Sequence, residues 1–250
     1  MVAKNPVLKD RIAAGHKLTV TEQKEEYKKI VQSISPLVGT AGVSIEVFAD
    51  MNTTGEEMLT QGIEMYAWIP NAYIKCTPGG LHAAEMSVRQ RMRVNMTLCF
   101  SQEQAAAVYA ATKATQTPVY VSPFIGRLDD HGQNSIDLIK NIKRMYASGD
   151  GHVHVLAASI RSVSHLLVVF AAHAELATVP ATVLRKWAAA GCSTEQQDAP
   201  SQSRLDHPAL SGIAYRELDL NEPWQSFNIS HELTTKGIET FVADYRNTVA

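Results

Sequence analysis

Two spacings of apolar residues alternate along this chain. Short runs rich in Val, Ile and Leu predict strands over 43–48, 72–76, 94–100, 119–121, 153–158 and 176–179. Between them apolar residues recur at helical spacing, over 21–34, 54–66, 81–91, 102–115, 134–146, 163–173 and 180–190. Local start and stop signals agree with this division. Thr21 can cap the first helix, with Glu22 and Glu25 in its first turn and Tyr27, Ile30 and Val31 as its apolar stripe. Thr54 can cap the second, which offers Met58, Ile63 and Met65 to a core. Pro78-Gly79-Gly80 turns the chain, Ser101 caps 102–115, and Pro180 opens the helix that follows it.

Strand and helix therefore alternate, with apolar strands and amphipathic helices. That pattern predicts a parallel sheet covered by helices, in one α/β domain over 1–250. After 190 the pattern lapses. The stretch 192–208 is rich in Ser, Gln, Asp and Pro, and a loop-rich segment is expected over 192–224. Helical spacing returns over 234–249, within a C-terminal extension over 225–250 that is expected to pack on the outside.

Composition narrows the classes. A chain of 250 residues suits one barrel-sized domain with an ample core. A net charge of -2 with 19% charged residues points to neither nucleic acid nor an anionic membrane as partner. Cys76, Cys99 and Cys192 are odd in number with no paired spacing, and read as reduced thiols. The first residues lack the apolar core of a signal peptide, and the longest apolar candidate, around 166–172, falls short of a membrane span. The expectation is a cytoplasmic protein.

The chemistry lies in polar residues set into or just after the apolar strands. Lys75 interrupts Ala72-Tyr73-Ile74-Lys75-Cys76, where an amine is costly unless neutral, paired or employed. A neutral amine attacks carbonyls, so Schiff-base chemistry is one reading of Lys75. An edge-strand lysine reaching solvent along its stem is the other. In a parallel barrel, chemistry gathers at the C-terminal ends of the strands. Those ends carry Glu46, Lys75, Asn95 with Thr97, Ser122 with Phe124 and Arg127, and Ser159 with Arg161. Taken together they suit a sugar-phosphate carbonyl. Lys75 would form the imine, Glu46 and Thr97 would hold a water for proton transfer, and Asn95 would bond a substrate hydroxyl. Arg127, Ser159 and Arg161 would bind the phosphate. Singly each has a plainer explanation: an ion pair for Glu46, a surface turn for Arg127 with Asp129 and Asp130, backbone satisfaction for Asn95 and Thr97. The chain has no Gly-rich nucleotide loop, so the phosphate is not expected on a nucleotide. His152 and His154 share a strand face without a third ligand and read as structural, and Cys76 and Cys99 read as packing residues.

These residues sit in motifs that resemble the transaldolase family. The motifs are Val43-Ser44-Ile45-Glu46-Val47, Tyr73-Ile74-Lys75, Asn95-Met96-Thr97-Leu98-Cys99-Phe100-Ser101, Ser122-Pro123-Phe124-Ile125-Gly126-Arg127-Leu128-Asp129-Asp130 and Leu156-Ala157-Ala158-Ser159-Ile160-Arg161. The final helix, preceded by His231-Glu232-Leu233-Thr234, also looks like that family, and the resemblance runs from about residue 5 to the end. It implies a TIM-type (β/α)8 barrel with Lys75 as the Schiff-base lysine and Glu46 and Thr97 positioning the catalytic water. Asn5 and Asn95 would contact substrate, and Ser122, Phe124, Arg127, Ser159 and Arg161 would line the pocket and hold the phosphate. The implied reaction moves a dihydroxyacetone unit from a ketose phosphate, fructose 6-phosphate or sedoheptulose 7-phosphate, to an aldose phosphate, a step of the pentose phosphate pathway. No metal or organic cofactor is implied.

The resemblance also has departures. Ala3-Lys4-Asn5-Pro6 stands where Thr-Thr-Asn-Pro is usual, at the start of the chain. A preceding strand and helix, with an acid–base aspartate, are expected to be missing, and the loop Cys76-Thr77-Pro78-Gly79-Gly80 is shorter than the family's usual one. Seven strands would leave two unpaired edges, which predicts lowered stability or association into a homo-oligomer. Two other readings accompany transaldolase: a fructose 6-phosphate aldolase-like lyase, and a truncated inactive homologue with a binding role. The aldolase branch usually has Tyr where Phe124 stands, which favours transfer.

Overall fold

The computed structural model describes residues 6–113, 115–194 and 210–250. Six strands form one sheet in the order of the chain: β1 (Val43–Glu46), β2 (Ala72–Cys76), β3 (Val94–Cys99), β4 (Val119–Pro123), β5 (Val153–Ala157) and β6 (Leu176–Ala177). All five neighbouring pairs are parallel. Helices α1 (Pro6–Ala13) and α2 (Val20–Ile34) precede the sheet. The crossovers between strands are α3 (Gly55–Tyr66), α4 (Leu81–Arg89), α5 (Gln102–Thr112), the pair α6 (Ile125–Asp130) and α7 (Ser135–Tyr146), and α8 (Val163–Ala171). Helices α9 (Ala181–Ala189) and α10 (Glu232–Arg246) follow.

Parallel crossovers are right-handed, so a sheet wound steadily one way carries all its helices on one face. The period of two shows that face clearly. Val43, Ile45, Ile74, Cys76, Val94, Met96, Val119, Val121, Val153 and Val155 are buried in the main core. The alternate positions, Ser44 and Glu46, Tyr73 and Lys75, Asn95 and Thr97, Tyr120 and Ser122, and His154, share the other face. The sheet therefore has an aliphatic helix-covered side and a polar and aromatic inner side, as a barrel wall does. A barrel one strand short was expected. The described residues supply six strands, with β1 and β6 each paired on one side.

Most expected elements form, with differences at their ends. The cap of α2 is Thr19, not Thr21: Thr19 Oγ1 accepts from the Glu22 amide at 3.1 Å while the Glu22 carboxylate takes the Thr19 amide at 2.8 Å. Only the Thr19-x-x-Glu22 spacing closes that reciprocal pair. Thr54 caps α3 in the same way with Glu57. Ile63, expected in the core, is exposed. Helices α1 and α6 were not anticipated; α6 is a single turn and a half inside the motif that carries Arg127.

Residues 195–209 of the expected loop-rich segment lie outside the described residues. Past them, buried side-chain amides hold the chain without regular structure. Gln102 bonds both the carbonyl and the amide of Arg216, at 2.6 and 3.0 Å, and Asn141 donates to the Ile213 carbonyl at 2.9 Å. Helix α10 then crosses the C-terminal ends of β2 and β3. Thr234 Oγ1 donates to the Leu98 carbonyl at 2.9 Å, and the Phe241 ring lies 5.8 Å from Lys75 Nζ. Gly237 permits this approach, since a Cβ there would come within 2.7 Å of Leu98 and 2.8 Å of Arg127. The chain end returns to Leu18, whose amide donates to the Thr248 carbonyl at 2.9 Å. No helix among the described residues is long and apolar enough to cross a membrane.

Candidate active site

Register brings the polar strand residues to one level. Glu46 lies opposite Lys75, and Lys75 opposite Asn95. Lys75 Nζ donates to Glu46 Oε2 at 3.0 Å, and the two side chains are 20% and 30% exposed. The lysine is thus paired, and accessible enough for a small molecule to reach. Glu46 is held from behind, its amide donating to Tyr27 Oη at 2.9 Å. Burial pushes the Tyr27 phenol up to about 12, so it stays neutral.

One layer of the same face is a hydrogen-bonded chain across three strands. Ser122 Oγ donates to Asn95 Oδ1 at 2.7 Å, and Asn95 Nδ2 donates to Ser44 Oγ at 3.0 Å. Below it Tyr73 stacks on Tyr120 with ring centroids 4.4 Å apart. Thr97 is fully buried, and its hydroxyl has no hydrogen-bond partner among the described residues. Glu46 Oε1 shares that condition. Just beyond Thr97 the ladder shifts register, and Leu98 takes a left-handed φ of 55°. Strain at a bulky residue persists where surrounding contacts over-determine it. Here it turns the Leu98 carbonyl to the Thr234 hydroxyl of α10.

The guanidinium groups form a second cluster. Arg127, on α6, lies 5.6 Å from the Phe124 ring centroid and 5.7 Å from that of Phe241. Burial first, and then the charge of Arg161, lower its pKa from the ordinary guanidinium value, with Asp130 opposing. Arg161 Nη2 bonds Asp130 Oδ2 at 2.7 Å in an exposed pair. Two guanidinium groups near enough to repel can together take an anion that accepts from both. Ser159 carries a left-handed φ of 64°, and its carbonyl leaves room only for a glycine at 126, where a Cβ would lie 2.2 Å from that oxygen and 2.6 Å from Arg161 Nε.

The structure therefore joins Lys75 with Glu46, Asn95 with Ser122, and Arg127 with Phe124 and the charge of Arg161. Asn5 lies outside the described residues. Phe241, Tyr27 and Ser44 were missed by sequence reasoning. Ser44 was within reach, two residues before Glu46 on the same strand face. Cys76 and Cys99 are buried, and burial pushes both thiols up to about 12, which suits packing. His152 bonds Thr112 Oγ1 at 3.0 Å and also contacts Asp150, while His154 lies edge-on to Tyr120. A hollow of about 190 Å³ between α10 and the loop after β1 is lined by Asp50, Met51 and Arg246 among others, and by none of the strand-end residues.

The start of α10 carries a titratable cap. His231 Nδ1 accepts from the Leu233 amide at 3.1 Å, and its ring stacks on Phe100. Burial lowers its pKa from the usual 6.5, Glu232 opposes, and His131 adds to the lowering. The unfolded chain then binds this proton at higher pH than the folded one. The contribution of His231 to stability is expected to be full above pH 6.5 and to fall as acid is added below it. His231→Asn keeps a side-chain acceptor at the cap but does not titrate. Denaturation midpoints between about pH 7.5 and 5.5 should slope less in this variant than in the parent chain. Equal slopes would remove His231 as the cause.

The chain is similar to known proteins over most of its length. The family described as Transaldolase/Fructose-6-phosphate aldolase matches residues 2–250. A protein of Parabacteroides distasonis named "Probable transaldolase" is 34% identical over 224 residues, covering 89% of this chain and 80% of its own length. One of the same name from Dehalococcoides mccartyi is 38% identical over 169 residues, 67% of this chain and 74% of its own. A third, from Exiguobacterium sibiricum, is 30% identical over 228 residues, 90% of this chain and 83% of its own.

Proposed function

The chain belongs to the transaldolase/fructose-6-phosphate aldolase family, and from that premise we propose that it transfers a dihydroxyacetone unit between sugar phosphates through an imine on Lys75. The observation that carries this reading is the half-buried Lys75–Glu46 pair at 3.0 Å, on the face shared by Asn95 and Thr97 and near the ring that also touches Arg127.

Each residue has a physical task in this reading. Glu46 accepts the ammonium proton, which frees the lone pair of Lys75 to add to the ketose carbonyl. Glu46 returns that proton to the former carbonyl oxygen, which leaves as water and gives the imine, whose positive nitrogen draws electrons from the adjacent carbon–carbon bond as it breaks. The departing aldose forms its carbonyl as its hydroxyl proton passes to Glu46, directly or through a water on Thr97. The three-carbon enamine stays on Lys75 until an acceptor aldehyde reverses these steps. Asn95, fixed by Ser44 and Ser122, bonds a substrate hydroxyl. Arg127, Arg161 and Ser159 hold the phosphate. Phe124 sets an apolar ring, not a phenol, beside the intermediate, which favours transfer over release to water.

The test is reduction with borohydride in the presence of fructose 6-phosphate, read by peptide mass spectrometry. A reduced three-carbon adduct on Lys75 is expected, and an adduct elsewhere or none from folded protein overturns the reading. Transfer to erythrose 4-phosphate without free dihydroxyacetone separates transaldolase from simple aldol cleavage. In this reading the transfer is a step of the pentose phosphate pathway.

A further inference from the structure

Thr77 follows Lys75 by two residues. Its backbone is extended, with φ -80° and ψ 166°. The alternation that sends Ile74 and Cys76 to the helix side and Tyr73 and Lys75 to the inner side therefore reaches Thr77. Thr77 is 5% exposed, yet its Oγ1 is buried with no hydrogen-bond partner among the described residues. It stands at the head of the short helical turn Pro78–Gly80, where a threonine ordinarily caps, and its side chain makes no capping bond. Buried Thr112 shows the usual solution, donating to the Val108 carbonyl at 2.7 Å.

An unsatisfied buried hydroxyl costs stability, and valine would fill the same space without that cost. Packing does not account for threonine at this position. Its neighbours do. The β2–β3 ladder ends with Cys76 opposite Met96, and Thr77 and Thr97 are the next residue along each of the two chains. Thr97 Oγ1 and Glu46 Oε1 are the other two buried oxygens near the lysine that lack a partner among the described residues. Glu46 Oε2 is already held by Lys75.

We propose that Thr77 is a further substrate-contacting residue, whose hydroxyl joins Thr97 Oγ1 and Glu46 Oε1 in binding the oxygen that leaves the carbonyl carbon of a ketose phosphate during imine formation. The inference rests on Lys75 as nucleophile. The amine adds to the carbonyl, a carbon–nitrogen bond forms, and the amine proton ends on the former carbonyl oxygen. That hydroxyl then takes the proton held by Glu46 and departs as water, while the nitrogen lone pair completes the imine. Thr77 gives and takes no proton overall; it supplies a hydrogen bond to the departing oxygen.

The experiment measures the rate at which the Lys75 adduct accumulates with fructose 6-phosphate under rapid borohydride quench, in the parent chain, Thr77→Val and Thr77→Ser. Thr77→Val is expected to slow accumulation and kcat about tenfold or more with little change in KM, since one hydrogen bond to a developing charge is lost. Its melting temperature should be unchanged or higher. Thr77→Ser should recover to within about threefold of the parent. A Thr77→Val protein that traps at the parent rate overturns this inference and leaves Lys75 as nucleophile intact. No adduct in the parent chain overturns both. Should Thr77→Val fail to fold, Thr77→Ala against Thr77→Ser gives the same contrast between two smaller side chains, and equal rates in that pair overturn the inference.

Discussion

Lys75→Arg is expected to abolish the borohydride adduct and to lower transfer from fructose 6-phosphate by at least about 10³-fold, because the proposed nucleophile is lost. Arginine is the informative replacement. It keeps a positive charge for the half-buried Glu46 carboxylate, so the ion pair survives in altered form. A guanidinium does not deprotonate in a protein, so it forms no imine. The variant should therefore fold like the parent, with a denaturation midpoint close to it, while trapping and turnover vanish together. Lys75→Met would confuse the two effects by leaving Glu46 partly buried without its partner, a change that itself destabilises. Retained transfer by a folded Lys75→Arg protein would show that the imine does not form at this residue. The expected loss exceeds any from the surrounding hydrogen bonds, each of which only assists the step proposed for Lys75.

Much of this arrangement was legible along the chain because it follows from periodicity. Strand β2 spans the expected 72–76, where apolar residues meet a proline–glycine turn that cannot continue a ladder. The same period of two that buries Ile74 and Cys76 turns Lys75 to the inner face. Parallel pairing without register slip then sets Glu46, Lys75 and Asn95 side by side. Capping chemistry was read correctly at Thr54, although Thr53 stands beside it, and misread at Thr19 and Thr21. The glutamate three residues on decides between them, and Glu22 selects Thr19.

Other parts had no local signal. Phe241 reaches Lys75 from 166 positions away along the chain (241 less 75), carried there by an amide-stitched strap and a glycine contact. Neither the strap nor the docking of α10 leaves a periodic mark in the sequence. The left-handed φ at Leu98 and Ser159 opposes the preference of both residues and arises from tertiary contacts alone. Thr77 looked like part of a turn, since a threonine before Pro-Gly-Gly has a sufficient local explanation. Only its orphan hydroxyl, visible once the packing is known, sets it apart.

Arg127→Leu is expected to weaken phosphate recognition by about 10- to 10²-fold while leaving the imine chemistry in place. The magnitude follows from one charge-assisted contact, about 1.5–3 kcal/mol, at about 1.4 kcal/mol per tenfold. The two arginines differ in setting. Arg127 is half-buried between the rings of Phe124 and Phe241, while Arg161 is 55% exposed and already tied to Asp130. Solvent screens the outer charge, so Arg161→Leu should cost less than Arg127→Leu. Leucine at 127 also removes a desolvated cation that Arg161 repels, and it retains contact with the two rings. Stability should accordingly hold or rise in Arg127→Leu, even as kcat/KM for the phosphorylated donor falls. Unphosphorylated donors supply the control: kcat/KM for free dihydroxyacetone as donor should change little, because no phosphate is there to lose. Equal losses with phosphorylated and unphosphorylated donors would mean that Arg127 holds the shape of the mouth through Phe241 and Gly237, with the anion bound elsewhere.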